Sequence, residues 1–276
     1  MSSYSLRQRI QLFPLLLFAV FYLFLSFVVI ATREAMVPFT GMPAAHSTIA
    51  IFGASGTAGD GILKAALADP TVEDIRVITR RTTPRMEQGV SSGKLTLATH
   101  MDYMDYEAVR TLVEDVDAVY WAIGASSIGM DEKTYGRIHV DFPAQFVREW
   151  LEVSTKDEIS FHYISSSDIS EDSSAMWARE KVRAEKTLFA LADGTKLKVI
   201  AYRPDYIGPT EEEAHLGQDL LYWFFAPVGA AVPAQEIGEA MIEITVRGDE
   251  YENSDKVGTR SIRRLSDAYR SRVNED

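Results

Sequence analysis

Three glycines carry the first chemical signal, in the segment Gly53-Ala54-Ser55-Gly56-Thr57-Ala58-Gly59. They follow the apolar run Ile49-Ala50-Ile51-Phe52 and precede the helix-like Ile62-Leu63-Lys64-Ala65-Ala66-Leu67. In that setting the first glycine allows a tight turn and the second lets the backbone approach a pyrophosphate. The third lets helix and strand pack closely, while the helix N-terminus faces the anion. A second strand-like run, Ile75–Thr79, arrives at βαβ spacing, so the loop reads as a dinucleotide cradle. An Asp or Glu at the end of that second strand would accept hydrogen bonds from ribose hydroxyls. The chain instead reads Thr79-Arg80-Arg81, two guanidinium groups that can pair with a 2′-phosphate, which favours NADP over NAD.

These residues need elements to hold them. Strands are predicted at Ser47–Phe52, Asp74–Thr79, Lys94–Ala98, Ala118–Ile123, Ser160–Ser165 and Lys196–Tyr202. Helices are predicted near Gly59–Leu67, Tyr106–Leu112, Thr134–Trp150, Ala175–Leu191 and Ala234–Arg247. Such alternation implies an α/β fold, a Rossmann-type doubly wound parallel sheet with a small C-terminal appendage. Right-handed crossovers gather the C-terminal strand ends on one edge, where ligands of open α/β sheets bind. Asp102-Tyr103, Ala122-Ile123-Gly124 and Ser165-Ser166-Ser167 all fall on that rim, which marks them as site candidates.

Phe13 to Ala31 is an almost uninterrupted apolar run of about the length that crosses a bilayer core. It reads as a single-pass N-terminal membrane anchor. The alternative is a secretory signal, with Arg7 and Arg9 as basic flank and Val29-Ile30-Ala31 before cleavage, leaving a secreted protein. Arg7 and Arg9 against Arg33 and Glu34 weakly put the N-terminus in the cytosol. The expected organisation is an anchor or signal at 1–36 and a linker at 37–46. A dinucleotide-binding domain follows at 47–253, its substrate-covering segment starting near 205, and a polar tail runs over 254–276. The chain has no cysteine, which excludes disulfides, thiolate metal sites and Cys nucleophiles. Its net charge is −12, and the first 39 residues hold three basic groups against one acid, so the remainder carries −14. Nucleic acid is a poor partner for that surface. The acidic runs Glu211-Glu212-Glu213 and Asp249-Glu250-Tyr251-Glu252 read as solvated loops, and no metal site is expected.

Taken together, the stretch from Ser47 to Arg247 resembles the extended and atypical branches of the short-chain dehydrogenase/reductase superfamily, close to NmrA-like and epimerase/dehydratase-type proteins. The resemblance implies that Gly53–Gly59, with Ser55, Thr57 and Ala58, holds a pyrophosphate. It puts Asp102 at the adenine and Gly124 beside the nicotinamide ribose, with Tyr103, Ala122 and Ser165 as further cofactor-binding residues. Lys181 takes the position that binds the nicotinamide ribose, and Arg203-Pro204-Asp205-Tyr206-Ile207-Gly208-Pro209 looks like the family's Arg-Pro…Gly-Pro stretch. The family's Tyr, three residues, then Lys departs here to Trp177-Ala178-Arg179-Glu180-Lys181. An indole N–H donates a hydrogen bond but exchanges no proton at useful pH.

Three readings follow from that substitution. In the first, the chain is an NADP(H)-dependent oxidoreductase acting on a small, apolar carbonyl or alcohol. Ser167 orients the substrate oxygen, Lys181 holds the ribose, and the acid is Tyr206, Tyr163, Tyr135 or a water on Ser167. In the second, it binds NADPH without turnover as a regulatory or scaffolding protein. In the third, it is an epimerase, dehydratase or isomerase using Glu180 or Asp168. A homodimer is left open. The cluster Leu221-Tyr222-Trp223-Phe224-Phe225 reads as core or oligomer packing, or as a pocket wall or membrane contact. His162 reads as structural, and His100 and His139 have no triad-like neighbours.

Overall fold

Ile49 and Ile51 face one side of the central sheet and Ala50 and Phe52 the other, and all four are fully buried. A strand buried on both faces is the signature of a parallel sheet covered by helices. The computed structural model describes residues 6–32, 38–210, 212 and 216–275, excepting the side chains of 6–13, 216 and 275. Arg33, Glu34, Val37, Glu211, Glu213 and the side chains of Arg7 and Arg9 lie outside the described residues.

In chain order the elements are α1 (Leu6–Ala31), β1 (Thr48–Phe52), α2 (Thr57–Ala68), β2 (Asp74–Thr79), α3 (Pro84–Ser91) and β3 (Leu95–Thr99). The short α4 (Arg110–Val113), β4 (Ala118–Trp121), α5 (Glu132–Gly136), α6 (Phe142–Val153), β5 (Ile159–Ile164) and α7 (Met176–Ala192) follow. Then come β6 (Leu197–Arg203), β7 (Tyr206–Gly208), α8 (Leu216–Phe225), β8 (Ala231–Pro233), α9 (Ala234–Val246), β9 (Lys256–Gly258) and α10 (Thr259–Glu275). Seven strands form one sheet in the order β3-β2-β1-β4-β5-β6-β9, every neighbouring pair parallel. β7 and β8 form a separate parallel pair, the small appendage.

Two cores sandwich the sheet. One packs α2, α9 and α10 against Ile49, Ile51, Val77 and Tyr120. The other packs α6 and α7 against Phe52, Trp121, Phe161 and Tyr163. Small residues let α2 and α9 approach closely: a Cβ on Gly238 would stand 2.7 Å from Ile62 Cα. Buried His162 is satisfied inside the body, with Nδ1 2.9 Å from the Tyr202 hydroxyl and Nε2 3.0 Å from Ser160 Oγ and 3.1 Å from Thr245 Oγ1.

The stretches expected as a linker and as a polar tail both pack onto the body. The stretch expected as a linker is tied down, with the Ala44 amide donating to Val246 O at 2.9 Å and Arg247 over the Phe39 ring at 5.3 Å. The stretch expected as a polar tail contains β9, a seventh strand of the sheet, and α10. Ile262, Leu265 and Tyr269 of α10 are buried at i, i+3 and i+7, a helical stripe that the surrounding arginines mask in composition. At the other terminus, Pro14–Ala31 has a mean hydropathy of 2.6 with none of that window buried, the one helix among the described residues long and apolar enough to cross a membrane.

Candidate dinucleotide site

β1 lies between β2 and β4, where the strand order reverses, and the glycine loop leaves its C-terminal end at that switch point. Each glycine has its own reason. Gly53 sits at φ +81°, and a Cβ there would stand 2.6 Å from the Ala122 carbonyl carbon on the neighbouring chain segment. At Gly59 a Cβ would stand 2.6 Å from the Gly53 carbonyl carbon, so helix and turn touch only because it is absent. Gly56 differs: the nearest atom to its missing Cβ is Gly53 O at 3.5 Å. That leaves open space over the start of α2, whose first amides have no intrahelical acceptors. The residues therefore fit a pyrophosphate cradle: two glycines close the turn, and the third keeps the approach clear.

Asp60 stands buried in the first turn of α2 and is ion-paired there. Arg85 donates to its two oxygens at 2.7 and 3.1 Å, and Thr210 Oγ1 donates at 2.5 Å. This clamp pins the segment after β7 to the crossover helix. Arg85 also meets Glu212 at 3.2 Å, as does Lys64 at 3.1 Å. Those bonds leave Arg80 and Arg81 as the exposed cations at the β2 rim. Arg81 Nη2 donates to Ser55 O at 2.9 Å, which lays its guanidinium across the glycine loop. On the next strand end, Asp102 Oδ1 accepts from the Met104 amide at 3.0 Å. Burial raises the pKa of the adjacent Tyr103 phenol, against the nearby Arg80 charge.

The second half of the rim is built from β4, β5 and the helix that follows each. α5 continues into a π-helical turn, Arg137–Asp141, before α6. Such turns are rare and concentrate at functional sites. The bulge turns His139 toward the end of β4, with Nε2 3.2 Å from both the amide nitrogen and the carbonyl oxygen of Ala125. A Cβ on Gly124 would stand 3.1 Å from that ring, and Tyr135 stacks on its other side at 4.1 Å. His139 Nδ1 is buried with no hydrogen-bond partner. Burial, then the nearby Lys181 charge, pushes its pKa down to about 3, so the ring is neutral near pH 7.

Lys181 projects from α7 into the same region. Its Nζ donates to Ile164 O at 2.7 Å and to the Tyr163 hydroxyl at 3.2 Å, and Tyr163 in turn donates to His139 O at 3.1 Å. Burial pulls its pKa down to about 7 against the attraction of Glu185. Glu185 itself is bonded to Arg203, Nε to Oε1 at 2.9 Å. Tyr163 is fully enclosed and its phenol is pushed well above the usual range by that burial, which suits a support for Lys181 rather than a proton donor. Burial likewise pushes Tyr135 up to about 12.

Ser165 Oγ is buried without a partner at the end of β5, whereas Ser167 is exposed and anchored by its amide to Pro204 O at 3.1 Å. Tyr206 is half-buried on β7 and donates to Gln218 O at 3.3 Å, so it lies against α8. Trp177 is half-buried at the start of α7, one turn before Lys181. Glu180 is spent on Arg183, and Asp168 is exposed. The structure thus brings together the glycine loop, Ser55 and Arg81 in one cluster. It brings Gly124, His139, Tyr163 and Lys181 together in another. His139 carries no sequence signal of its own, because only the π-turn and β4 bring it to the rim.

No protein-family model and no curated protein sequence matches the chain. Solved structures do. A Serratia marcescens short-chain dehydrogenase/reductase mutant superposes with TM-score 0.61 at 15% identity, covering 77% of this chain and 96% of that one. BdcA in complex with NADPH gives 0.60 at 13%, covering 79% and 94%. A 3-oxoacyl-[acyl-carrier protein] reductase from Brucella melitensis in complex with NAD gives 0.59 at 12%, covering 80% and 99%. The fold is that of the short-chain dehydrogenases/reductases.

Proposed function

We propose that the chain is an NADP(H)-dependent oxidoreductase of the short-chain dehydrogenase/reductase type, held at a membrane by α1 and acting on a small apolar carbonyl or alcohol. The observation that carries this reading is the clear space at Gly56 between two glycines that close the turn. In the proposal the amides of Gly56, Thr57 and Ala58 hold the pyrophosphate, and Arg80 and Arg81 pair with a 2′-phosphate. Asp102 and Tyr103 border the adenine, while Ala122, Gly124, Ser165 and Lys181 border the nicotinamide ribose. When bound, the dinucleotide supplies or accepts the hydride.

The chain's own residues then handle the proton. A lysine whose pKa lies at about 7 exchanges a proton near neutrality, so Lys181 is the first replacement for the phenol that Trp177 displaces. A neutral imidazole at His139 donates a hydrogen bond to a polarised oxygen without placing a cation there. Ser167 orients the substrate oxygen, and Tyr206 is the remaining donor.

The second reading, NADPH binding without turnover, is supported by Trp177 and by the enclosure of Lys181, which is 7% exposed. One set of measurements separates them. Detergent-solubilised full-length protein is titrated with NADPH and NADH by calorimetry, then assayed for NADPH oxidation with a panel of apolar ketones. NADPH binds more tightly, and Arg81→Ala weakens it about tenfold while leaving NADH within about twofold, as expected for one charge-assisted phosphate contact. Equal affinities remove the arginine argument. Turnover that Lys181→Met abolishes supports the enzyme, and activity appearing only in Trp177→Tyr supports the binding protein.

A further inference from the structure

α8 has two faces of different character. Its inner face leans on β7: Tyr222 covers Gly208 so closely that a Cβ there would stand 2.9 Å from Tyr222 Cε2, and the Phe225 ring lies 6.0 Å from that of Tyr206. Its outer face carries Leu220, Trp223 and Phe224 at i, i+3 and i+4, exposed by 73%, 75% and 46%. Large apolar side chains clustered on one exposed helix face are unfavourable in water.

That face runs directly into α1. The Tyr22 hydroxyl donates to Phe224 O at 2.7 Å, their rings lie 5.7 Å apart, and Phe18 and Leu23 border the same groove as Leu220 and Trp223. About two turns further along α1 the chemistry changes. Val29, Ile30 and Pro227 line a cleft of about 290 Å³ together with Arg260, Arg263 and Arg264 of α10. Three arginines within five residues stand out on a chain of net charge −12. An apolar zone followed along the same helix by a cationic zone is the order met in passing from the hydrocarbon of a bilayer to its phosphates.

We propose that α8 is embedded in the same bilayer that α1 enters, with exposed Arg260 at the phosphates of acidic phospholipids, while the Arg263 guanidinium braces the turn after α8 by donating to Ala231 O at 2.5 Å. The proposal rests on the anchor reading of α1. α1 is apolar all round with none of its Pro14–Ala31 window buried, so it already requires a non-aqueous medium, and the outer face of α8 extends it without a break. Because the inner face of α8 packs on Tyr206 and Gly208, the bilayer then lies one helix thickness from the candidate site.

The test reconstitutes full-length protein into vesicles of phosphatidylcholine and phosphatidylglycerol, with and without brominated acyl chains, reading flotation and tryptophan emission together. Expected are floating protein and a bromine-quenched component of emission that Trp223→Phe removes, weaker when phosphatidylglycerol is omitted. Floating protein whose Trp223 emission is unquenched overturns the proposal while leaving the anchor intact. That outcome with cross-linking between copies at α8 assigns the face to a second chain instead. Protein that does not float overturns the anchor and this proposal together. Quenching that ignores phosphatidylglycerol removes Arg260 from it.

Discussion

Gly56 and Gly59 look interchangeable in a motif and are opposite in the structure. A Cβ at Gly59 runs into the Gly53 carbonyl and Ala54 Cα, backbone that cannot move without opening the turn. Gly59→Ala is therefore expected to cost about 1–3 kcal/mol of stability as an overpacked contact. Gly56→Ala meets only Gly53 O at 3.5 Å, ordinary contact, so folding is untouched. Its methyl fills the space proposed for the pyrophosphate, and dinucleotide affinity falls instead. Thermal unfolding of both variants with and without NADPH checks this. A Gly56→Ala protein that keeps full NADPH stabilisation shows that the open space is not the cradle. The same distinction holds across the rim. Lys181 is tuned by burial among named partners, whereas Ser167 is exposed and takes its position from one backbone bond to Pro204.

At the level of elements, long apolar strands and their helices were legible because both periodicities are strong. β2 runs over Asp74–Thr79 as expected, and β1, β3, β5 and β6 differ by a residue at their ends. β4 stops at Trp121, short of the expected Ile123, and the chain beyond it runs against the glycine turn, where a Cβ on Gly53 would stand 2.6 Å from both the Ala122 carbonyl carbon and the Ile123 nitrogen. The elements not foreseen are short or disguised. β7, β8 and β9 have three residues each, too few for alternation to register, and α3 is eight residues with low apolar content. The expected helix Thr134–Trp150 is one rod in sequence but is interrupted by a π-turn, and nothing local in Arg137-Ile138-His139-Val140-Asp141 announces it. Close packing of α2 on α9 gives a prediction at this scale. Gly238→Val would drive a branched side chain into Ile62 Cα and Ala65 Cβ, at 2.7 and 2.9 Å from the first carbon alone. Loss of more than about 3 kcal/mol is expected, read as a drop in unfolding midpoint. An unchanged midpoint would show that the two helices have slack.

For the whole molecule, acid sensitivity follows from imidazoles held neutral in the interior. Burial pushes both His139 and His162 down to about 3, from an unfolded value of about 6.5. Between those values the unfolded chain binds protons that the folded chain refuses, so stability rises with pH there. Equivalently, the contribution of these two rings is fully present above pH 6.5 and declines as pH falls toward 3. Burial pushes the Glu236 carboxyl up, which works in the opposite direction at the acid end of this window, so the histidine contribution is read as the difference in slope between the native chain and a histidine variant from pH 6.5 to 5. His139→Phe keeps a flat ring on Tyr135 and removes one of the two groups; the histidine part of the slope of unfolding free energy over that interval should shrink by about half. His162 cannot serve as well, since its removal also strands the Tyr202, Ser160 and Thr245 hydroxyls. Denaturant unfolding of the detergent-solubilised chain at several pH values gives the slope directly. An identical slope in His139→Phe would mean that this ring takes up a proton in the folded protein, and the neutral donor assigned to the rim would go with it.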